Sequence, residues 1–156
     1  MSLNLKFIWI GKLKKNFWQE AASYYWEKLS QSYKLSEQRI KENSGCKDPQ
    51  IIRQKQCAAI MDKLTNKEIV INLDTQGKMV SSEKLADYLQ TWIQTPGKDP
   101  CFILGGSYGI SRELMQKSHY SISFGPITLP NALARIVLLE QLYRATRINQ
   151  NHPYHH

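Results

Sequence analysis

Short apolar runs separated by amphipathic segments make up most of this chain. Runs rich in β-branched and aromatic residues predict five strands. They are Leu5–Ile10, Glu68–Leu73, Cys101–Leu104 and Tyr120–Phe124, with a weaker prediction at Tyr33–Ile40. Because helical segments alternate with these strands, we expect a single α/β domain over residues 1–156. Its sheet should be mostly parallel, with helices on both faces.

Helical spacing and capping residues predict the helices between these strands. The first helix should bury a face made of Phe17, Ala21, Tyr24, Tyr25 and the stem of Lys28. Asp48 and Pro49 predict the start of a second helix, Ser82 should cap a third, and Ser111 should cap a short fourth. The polar, glycine-containing segments 42–48 and 74–78 predict a loop and a turn.

The final helix, from about Asn131 to Ile148, is apolar almost all the way round. A helix of this kind must be buried on more than one face. The sheet can cover one face, and a second subunit is the simplest cover for the other. The pattern therefore predicts a homodimer formed through this helix.

Composition and charge narrow the possible partners. Apolar residues make up 42% of the chain, as in ordinary globular proteins, and the formal net charge is +8. Beyond Leu114 the only acidic residue is Glu140, so the C-terminal part should face a polyanion, although a basic surface can also serve solubility alone.

No apolar run is long enough for a membrane span and no leader is evident, so we expect a cytoplasmic location. Three scattered cysteines suggest neither a disulfide framework nor a thiolate zinc site.

Three loops follow strands directly and are candidates for ligand binding: 73–78, 105–109 and 125–130. Ligands of parallel sheets bind at the carboxyl ends of the strands, where glycines let the backbone approach closely. The loop Gly105–Gly109 reads G-G-S-Y-G, which matches neither the dinucleotide-binding nor the P-loop fingerprint. On its own, this loop is equally compatible with a purely structural turn.

Several segments together, in order along the chain, resemble the RlmH family of SPOUT methyltransferases. They are Gly11-Lys12-Leu13, Leu73-Asp74 with Gly77-Lys78, Ile103-Leu104-Gly105-Gly106 with Gly109, Ser123 to Pro130, Arg135-Ile136-Val137, Glu140 to Ala145, and Asn151 to His155. The resemblance extends from about Leu5 to the C-terminus. His156 departs from it, because the family usually has Arg or Lys at this position.

The resemblance implies a C-terminal trefoil knot, a homodimer, and S-adenosylmethionine as cofactor. It also implies methylation at N3 of a pseudouridine in helix 69 of 23S ribosomal RNA, on the assembled ribosome. Transferred residue by residue, it predicts a cofactor site without any metal. The predicted cofactor-binding residues are Leu73, Gly105, Gly106, Gly125, Pro126, Ile127, Thr128, Leu129 and Pro130.

Three residues near the C-terminus are the candidates for catalysis. His155 could accept the N3 proton, Tyr154 could contact the base, and Arg144 could bind phosphate or a carbonyl that gains negative charge. Alternatively, His155 belongs to a mobile tail, solvent removes the proton, and Arg144 only pairs with Glu140 one turn away. A metal site at His152, His155 and His156 is a weaker alternative, because no carboxylate or cysteine accompanies them.

Two other functions stay open from the sequence: a non-catalytic RNA-binding module of the same fold, and methylation of a different RNA position. The intact glycine and Leu-Pro loops favour an enzyme over a binding module. The resemblance further suggests that the tail of one subunit completes the pocket of the other. We expect isolated RNA to be a poor substrate, because so small a protein has little surface for reading bases.

Overall fold

The computed structural model describes residues 2–42 and 45–155, and for His155 it describes the backbone alone. Parts of the predicted loop 42–48, namely residues 43 and 44, lie outside the described residues. The elements are β1 (Asn4–Ile10), α1 (Asn16–Ser30), β2 (Lys34–Ile40), α2 (Pro49–Asp62), β3 (Glu68–Met79), α3 (Ser82–Ile93), β4 (Asp99–Leu104), α4 (Arg112–Lys117), β5 (Tyr120–Ser123), α5 (Asn131–Asn149) and a 3-10 helix (Pro153–His155). The five strands form one sheet in the order β2-β1-β4-β3-β5, and every neighbouring pair is parallel.

Alternating side chains of the strands build a core on each face of the sheet. In β1, Phe7 and Trp9 join the larger core with α1, α3 and α5, while Ile8 and Ile10 join the smaller core with α2 and α4. A side-chain period of two places neighbouring residues on opposite faces, which explains the division. The predicted α/β class, with a parallel sheet covered on both faces, is confirmed. None of the described helices is long and apolar enough to span a membrane.

Strand β3 differs from the prediction, because it does not end in a turn after Leu73. It continues to Met79, and both Leu73 and Lys78 pair with Ile122 of β5 across a register shift. Gly77 makes this return possible, since a Cβ added there would lie 2.7 Å from the backbone carbonyl carbon of Ile122. The intervening residues therefore form an irregular segment at the edge of the sheet, beside β5.

Two details of the predicted helices are wrong. Phe17 and Tyr24 of α1 are 59% and 54% exposed, contrary to the prediction. Tyr25 packs against the core as predicted, together with Ala22, Trp26 and Leu29. Both sets have helical spacing, so periodicity alone did not choose between them. The cap of α3 is Ser81, whose side chain accepts a hydrogen bond from the Lys84 amide, and not Ser82. Asp48 and Ser111 cap α2 and α4 as predicted.

Helix α5 is the element that joins the larger core to the end of the sheet where the loops lie. It packs against both α1 and α3, so part of its all-round apolar surface is buried within one subunit. Leu133, Val137, Glu140 and Arg144 stay only half-buried. Their spacing places them on one stripe of the helix, which this subunit leaves partly uncovered.

Candidate functional site

A cavity of about 720 Å³ lies at the carboxyl ends of β4 and β5, beside the irregular segment of β3 that follows Leu73. All three loops singled out in the sequence contribute to its wall, and the first turn of α5 closes one side. Its lining residues are Leu73, Asp74, Thr75, Leu104, Gly105, Gly106, Ser107, Tyr108, Gly109, Ile110, Ile122, Ser123, Phe124, Gly125, Ile127, Thr128, Leu129, Pro130, Asn131 and Ala134. The parallel sheet thus brings together segments that are far apart in the chain.

The chemistry of the lining favours an organic ligand that carries positive charge. Apolar side chains and glycine backbone dominate the wall, Asp74 supplies a carboxylate, and no Lys or Arg is among these described lining residues. A nucleotide with a di- or triphosphate needs cations or a metal ion to balance its charge. A cation, by contrast, is stabilised by a nearby carboxylate.

A relay of hydrogen bonds holds the loop that begins at Gly105. The Asn131 side-chain amide donates to the Gly105 carbonyl at 2.8 Å, and Arg135 Nε donates to Asn131 Oδ1 at 2.9 Å. Arg135 also donates to the backbone carbonyls of Ile10 and Gly11 and stacks over Trp9. Its guanidinium is buried, and burial lowers the pKa of Arg135 to about 10. The loops after β1 and β4 are therefore fastened to the same helix.

The opposite side of the Gly105–Gly109 loop rests on α2. An added Cβ at Gly106 would clash with Oε1 of the buried Gln56, and one at Gly105 would lie 2.8 Å from Ile110 Cδ1. A larger residue at either position would therefore have to displace the end of the Gln56 or the Ile110 side chain. The small size of glycine at these two positions thus has a steric explanation in addition to the close approach of a ligand.

The predicted cofactor-binding residues line this cavity, except for Pro126. Gly125 has a φ of +116°, and its amide donates to Ser123 Oγ at 3.0 Å. This turn directs Ile127, which is 72% exposed, to the rim of the cavity. That these residues bind a cofactor stays a prediction.

The tail residues predicted to be catalytic form a separate cluster at the far end of α5. Arg144 donates from Nη2 to Glu140 Oε1 at 2.7 Å, and its guanidinium lies 5.1 Å from the centre of the Tyr154 ring. The Tyr154 hydroxyl donates to the same Glu140 oxygen at 3.4 Å. The predicted ion pair between Arg144 and Glu140 is therefore present, and Tyr154 contacts both residues. That Arg144 acts in catalysis stays a prediction. The His155 side chain lies outside the described residues, as does His156.

The surroundings of Tyr154 keep its hydroxyl protonated at neutral pH. Desolvation and the negative charge of Glu140 together raise the pKa of Tyr154 to about 12. The hydrogen bond to Glu140 in turn raises the pKa of Arg144 above its usual value. The cluster thus presents hydrogen-bond donors and a permanent cation, and neither Tyr154 nor Arg144 is a base near pH 7.

The cavity and the tail cluster of one chain are far apart. Asn131 lies in the cavity wall, whereas Arg144 follows about 13 residues later on the same helix, which corresponds to about 20 Å. A small ligand cannot contact both at once. Within one subunit, the predicted cofactor residues and the predicted catalytic residues therefore form two separate sites.

Sequence reasoning did not identify Gln56, Asn131 or Arg135 as parts of the site. The signal for the last two was their i, i+4 spacing at the start of an otherwise apolar helix. An arginine that is 3% exposed must have its hydrogen bonds satisfied internally, which points to a structural network. Gln56 carried no comparable signal in the sequence, because the residue that it supports, Gly106, lies in a loop about 50 positions later.

Comparison with known proteins shows a match along almost the whole chain. A family model described as "Predicted SPOUT methyltransferase" matches residues 3–155. A protein of Maridesulfovibrio salexigens named ribosomal RNA large subunit methyltransferase H is 39% identical over 152 residues, which cover 97% of each chain. A protein of the same name from Bacillus cytotoxicus is 40% identical over 159 residues, covering 98% of this chain and 99% of the other.

A solved structure shares the fold at low sequence identity. It is described as a probable methylase family protein from Haemophilus influenzae Rd KW20. It superposes with a TM-score of 0.51 at 15% identity, covering 94% of this chain and 66% of the other. This likeness supports the architecture described above and says nothing about substrate.

Proposed function

The chain belongs to the SPOUT methyltransferase family, with relatives named ribosomal RNA large subunit methyltransferase H, and from that premise we propose that it methylates ribosomal RNA with S-adenosylmethionine. The more specific proposal is transfer to N3 of a pseudouridine in helix 69 of 23S ribosomal RNA, on the assembled ribosome in the cytoplasm. The observation that carries the enzymatic function is the cavity at the strand ends, with its glycine backbone and single carboxylate. The proposal includes the trefoil knot that the family resemblance implies.

The cavity residues fit S-adenosylmethionine in shape and charge. Leu73, Leu104 and Leu129 offer apolar surface for the adenine ring, and the Gly105-Gly106 backbone permits close approach. Asp74 complements the positive charge of the sulfonium and the amino group. When bound, S-adenosylmethionine supplies a methyl group that its sulfonium activates for attack by a nitrogen nucleophile.

A homodimer would bring the tail of one subunit close to the cavity of the other. The half-buried stripe of α5, defined above by Leu133, Val137, Glu140 and Arg144, is the surface that we assign to a second subunit. Pairing along this stripe around a two-fold axis makes both copies use the same residues. If the two α5 helices run antiparallel, the Arg144 end of one lies near the Asn131 end of the other.

In such a dimer, each active site combines the cavity of one subunit with the tail of its partner. Arg144 would hold a phosphate or a uracil carbonyl, and Tyr154 would donate a hydrogen bond to the base. Methylation at N3 would require N3 to lose its proton before or during the transfer. Tyr154 is already protonated. His155 or solvent is therefore the acceptor in this proposal.

The test of the function is mass spectrometry of 23S ribosomal RNA. Assembled ribosomes that lack the methyl group are incubated with the protein and isotope-labelled S-adenosylmethionine, and helix 69 transcripts serve as a parallel substrate. We expect one labelled methyl group at N3 of a helix 69 pseudouridine on ribosomes, with much less on the transcript. A label elsewhere would indicate another RNA position. No label, together with ribosome binding, would indicate a non-catalytic module.

A further inference from the structure

A second cavity, of about 490 Å³, lies beside the first and shares a wall with it. Ile110 lines both cavities, so the end of the Gly105–Gly109 loop separates them. The other lining residues come from α2 and from the start of α4. They are Arg53, Ser111, Arg112, Met115 and Gln116. The family resemblance assigned no function to any of these residues.

Two guanidinium groups face this second cavity without a counterion. Within the described part of the chain, neither Arg53 nor Arg112 has an ion pair, and no carboxylate lines the cavity. Nε of Arg53 is shielded from solvent and has no hydrogen-bond partner. A buried N–H group without a partner is costly, so a shift of the Arg53 side chain that lets Nε reach an anionic ligand would be favourable. Ser111 Oγ accepts from the Leu114 amide and so caps α4.

Helix α2 links the second cavity to the loop that lines the first. Arg53 lies one turn before Gln56 and Cys57 on α2, and these two residues support the loop between the cavities. Gln56 fills the space under Gly106, and the Ser111 amide donates to Cys57 Sγ at 3.2 Å. A ligand bound by Arg53 would therefore lie at a fixed distance from the Gly105–Gly109 loop, which lines the first cavity.

We propose that Arg53 and Arg112 form a binding site for a backbone phosphate of the RNA substrate, next to the nucleotide that enters the first cavity. This inference rests on the proposed function for the nature of the substrate. Arginine suits the task because its planar guanidinium matches a phosphate with two parallel hydrogen bonds. Such a contact fixes the register of the RNA without reading its sequence, and so orients the reacting base.

The experiment compares a double variant with a matched control. Arg53→Gln/Arg112→Gln removes two cations from the cavity. Lys67→Gln/Lys98→Gln removes two exposed cations at the opposite, amino-terminal end of β3 and β4. Fluorescence anisotropy measures binding of each protein to purified large ribosomal subunits at several salt concentrations. Calorimetry with S-adenosylhomocysteine and thermal unfolding confirm that each variant is folded with an intact first cavity.

We expect the arginine variant to bind large subunits about 10- to 100-fold more weakly than the control pair at the same salt concentration. Its log affinity should fall less steeply with log salt concentration, by about 0.7 to 0.9, as for the loss of one phosphate contact. The single variant Arg112→Gln should show part of this loss and should leave the stability nearly unchanged, because Arg112 is exposed.

Two results would overturn the phosphate site: equal binding by the arginine variant and the control pair, or a wild-type protein that does not bind large subunits. Methyl transfer is measured separately on the same subunits and on assembled ribosomes. A wild-type protein that binds but transfers no methyl group would refute the proposed function and leave the phosphate site supported by the binding data. The two failures are thus distinguishable.

Discussion

The side-chain amide of Asn131 donates a hydrogen bond to the carbonyl of Gly105 at 2.8 Å, and so connects the first turn of α5 to the glycine loop after β4. The other end of the same side chain accepts from Arg135. Because Arg135 also binds the carbonyls that end β1, one helix fixes two loops at the carboxyl edge of the sheet. The shape of the main cavity depends on this relay.

Replacing Asn131 with alanine should weaken cofactor binding more than it weakens the fold. Without the amide, the Gly105 carbonyl loses its partner and the loop can shift. We expect about tenfold weaker binding of S-adenosylhomocysteine by calorimetry, with a loss of stability of about 1 kcal/mol. Asn149→Ala is the matched control, since Asn149 donates to the Ala86 carbonyl at the other end of α5. Equal affinity of the two variants would contradict the relay.

Gly77→Ala should strongly destabilise the junction between β3 and β5. The added methyl group would meet the Ile122 backbone, which cannot move aside as a side chain can. Chemical denaturation should show a loss of about 2 to 3 kcal/mol, together with weaker cofactor binding. Gly97→Ala is the comparison, because an added Cβ at Gly97 meets no other atom. Its only cost is the unfavourable φ of +70°, which should lower the stability by about 1 kcal/mol. A Gly77→Ala protein as stable as wild type would show that the strand does not return so closely.

The sequence predicted the layers of this fold well and its irregular places poorly. Strands such as β1 and β4 are short apolar runs, and their burial on both faces follows directly from composition. The return of β3 after Leu73 depends on contact with Ile122, about 45 residues later in the chain. A local pattern contains no information about such a pairing.

The candidate site was predictable to a similar extent. The rule that ligands bind at strand ends identified the three loops, and the structure places them around one cavity. The supporting residues Gln56 and Asn131 were not predictable, because their roles depend on which backbone groups lie opposite them. The separation between Arg144 and the cavity also required the structure, since it follows from the direction of α5.

Two inactive variants should restore activity to each other when they are mixed. Gly106→Val displaces the loop that lines the cavity, because its side chain would clash with Gln56, and Arg144→Ala removes the cation of the tail. If each active site combines one cavity with the partner's tail, a mixed dimer contains one intact site. Co-refolding equal amounts should then recover about a quarter of wild-type methyl transfer, because about half of the dimers are mixed. No recovery, with mixed dimers demonstrated by native mass spectrometry, would place both parts in one subunit.

The pH dependence should show that Tyr154 acts as a hydrogen-bond donor. Its pKa of about 12 means that the hydroxyl stays protonated throughout the working range, and loses its proton only above that value. Tyr154→Phe should lower kcat about tenfold and leave the shape of the pH–rate profile between pH 6 and 10 unchanged. An alkaline limb below pH 10 that disappears in Tyr154→Phe would instead make Tyr154 a titrating catalyst.

The most direct measurement of the central claim is calorimetric titration of S-adenosylmethionine into the purified protein, at two temperatures so that a small enthalpy is not mistaken for no binding. We expect saturable binding to wild type and none to Gly106→Val, whose side chain clashes with Gln56 and so displaces the loop that lines the cavity. Wild-type protein that gives no heat at either temperature, or Gly106→Val that binds as tightly as wild type, would contradict the assignment of this cavity to the methyl donor.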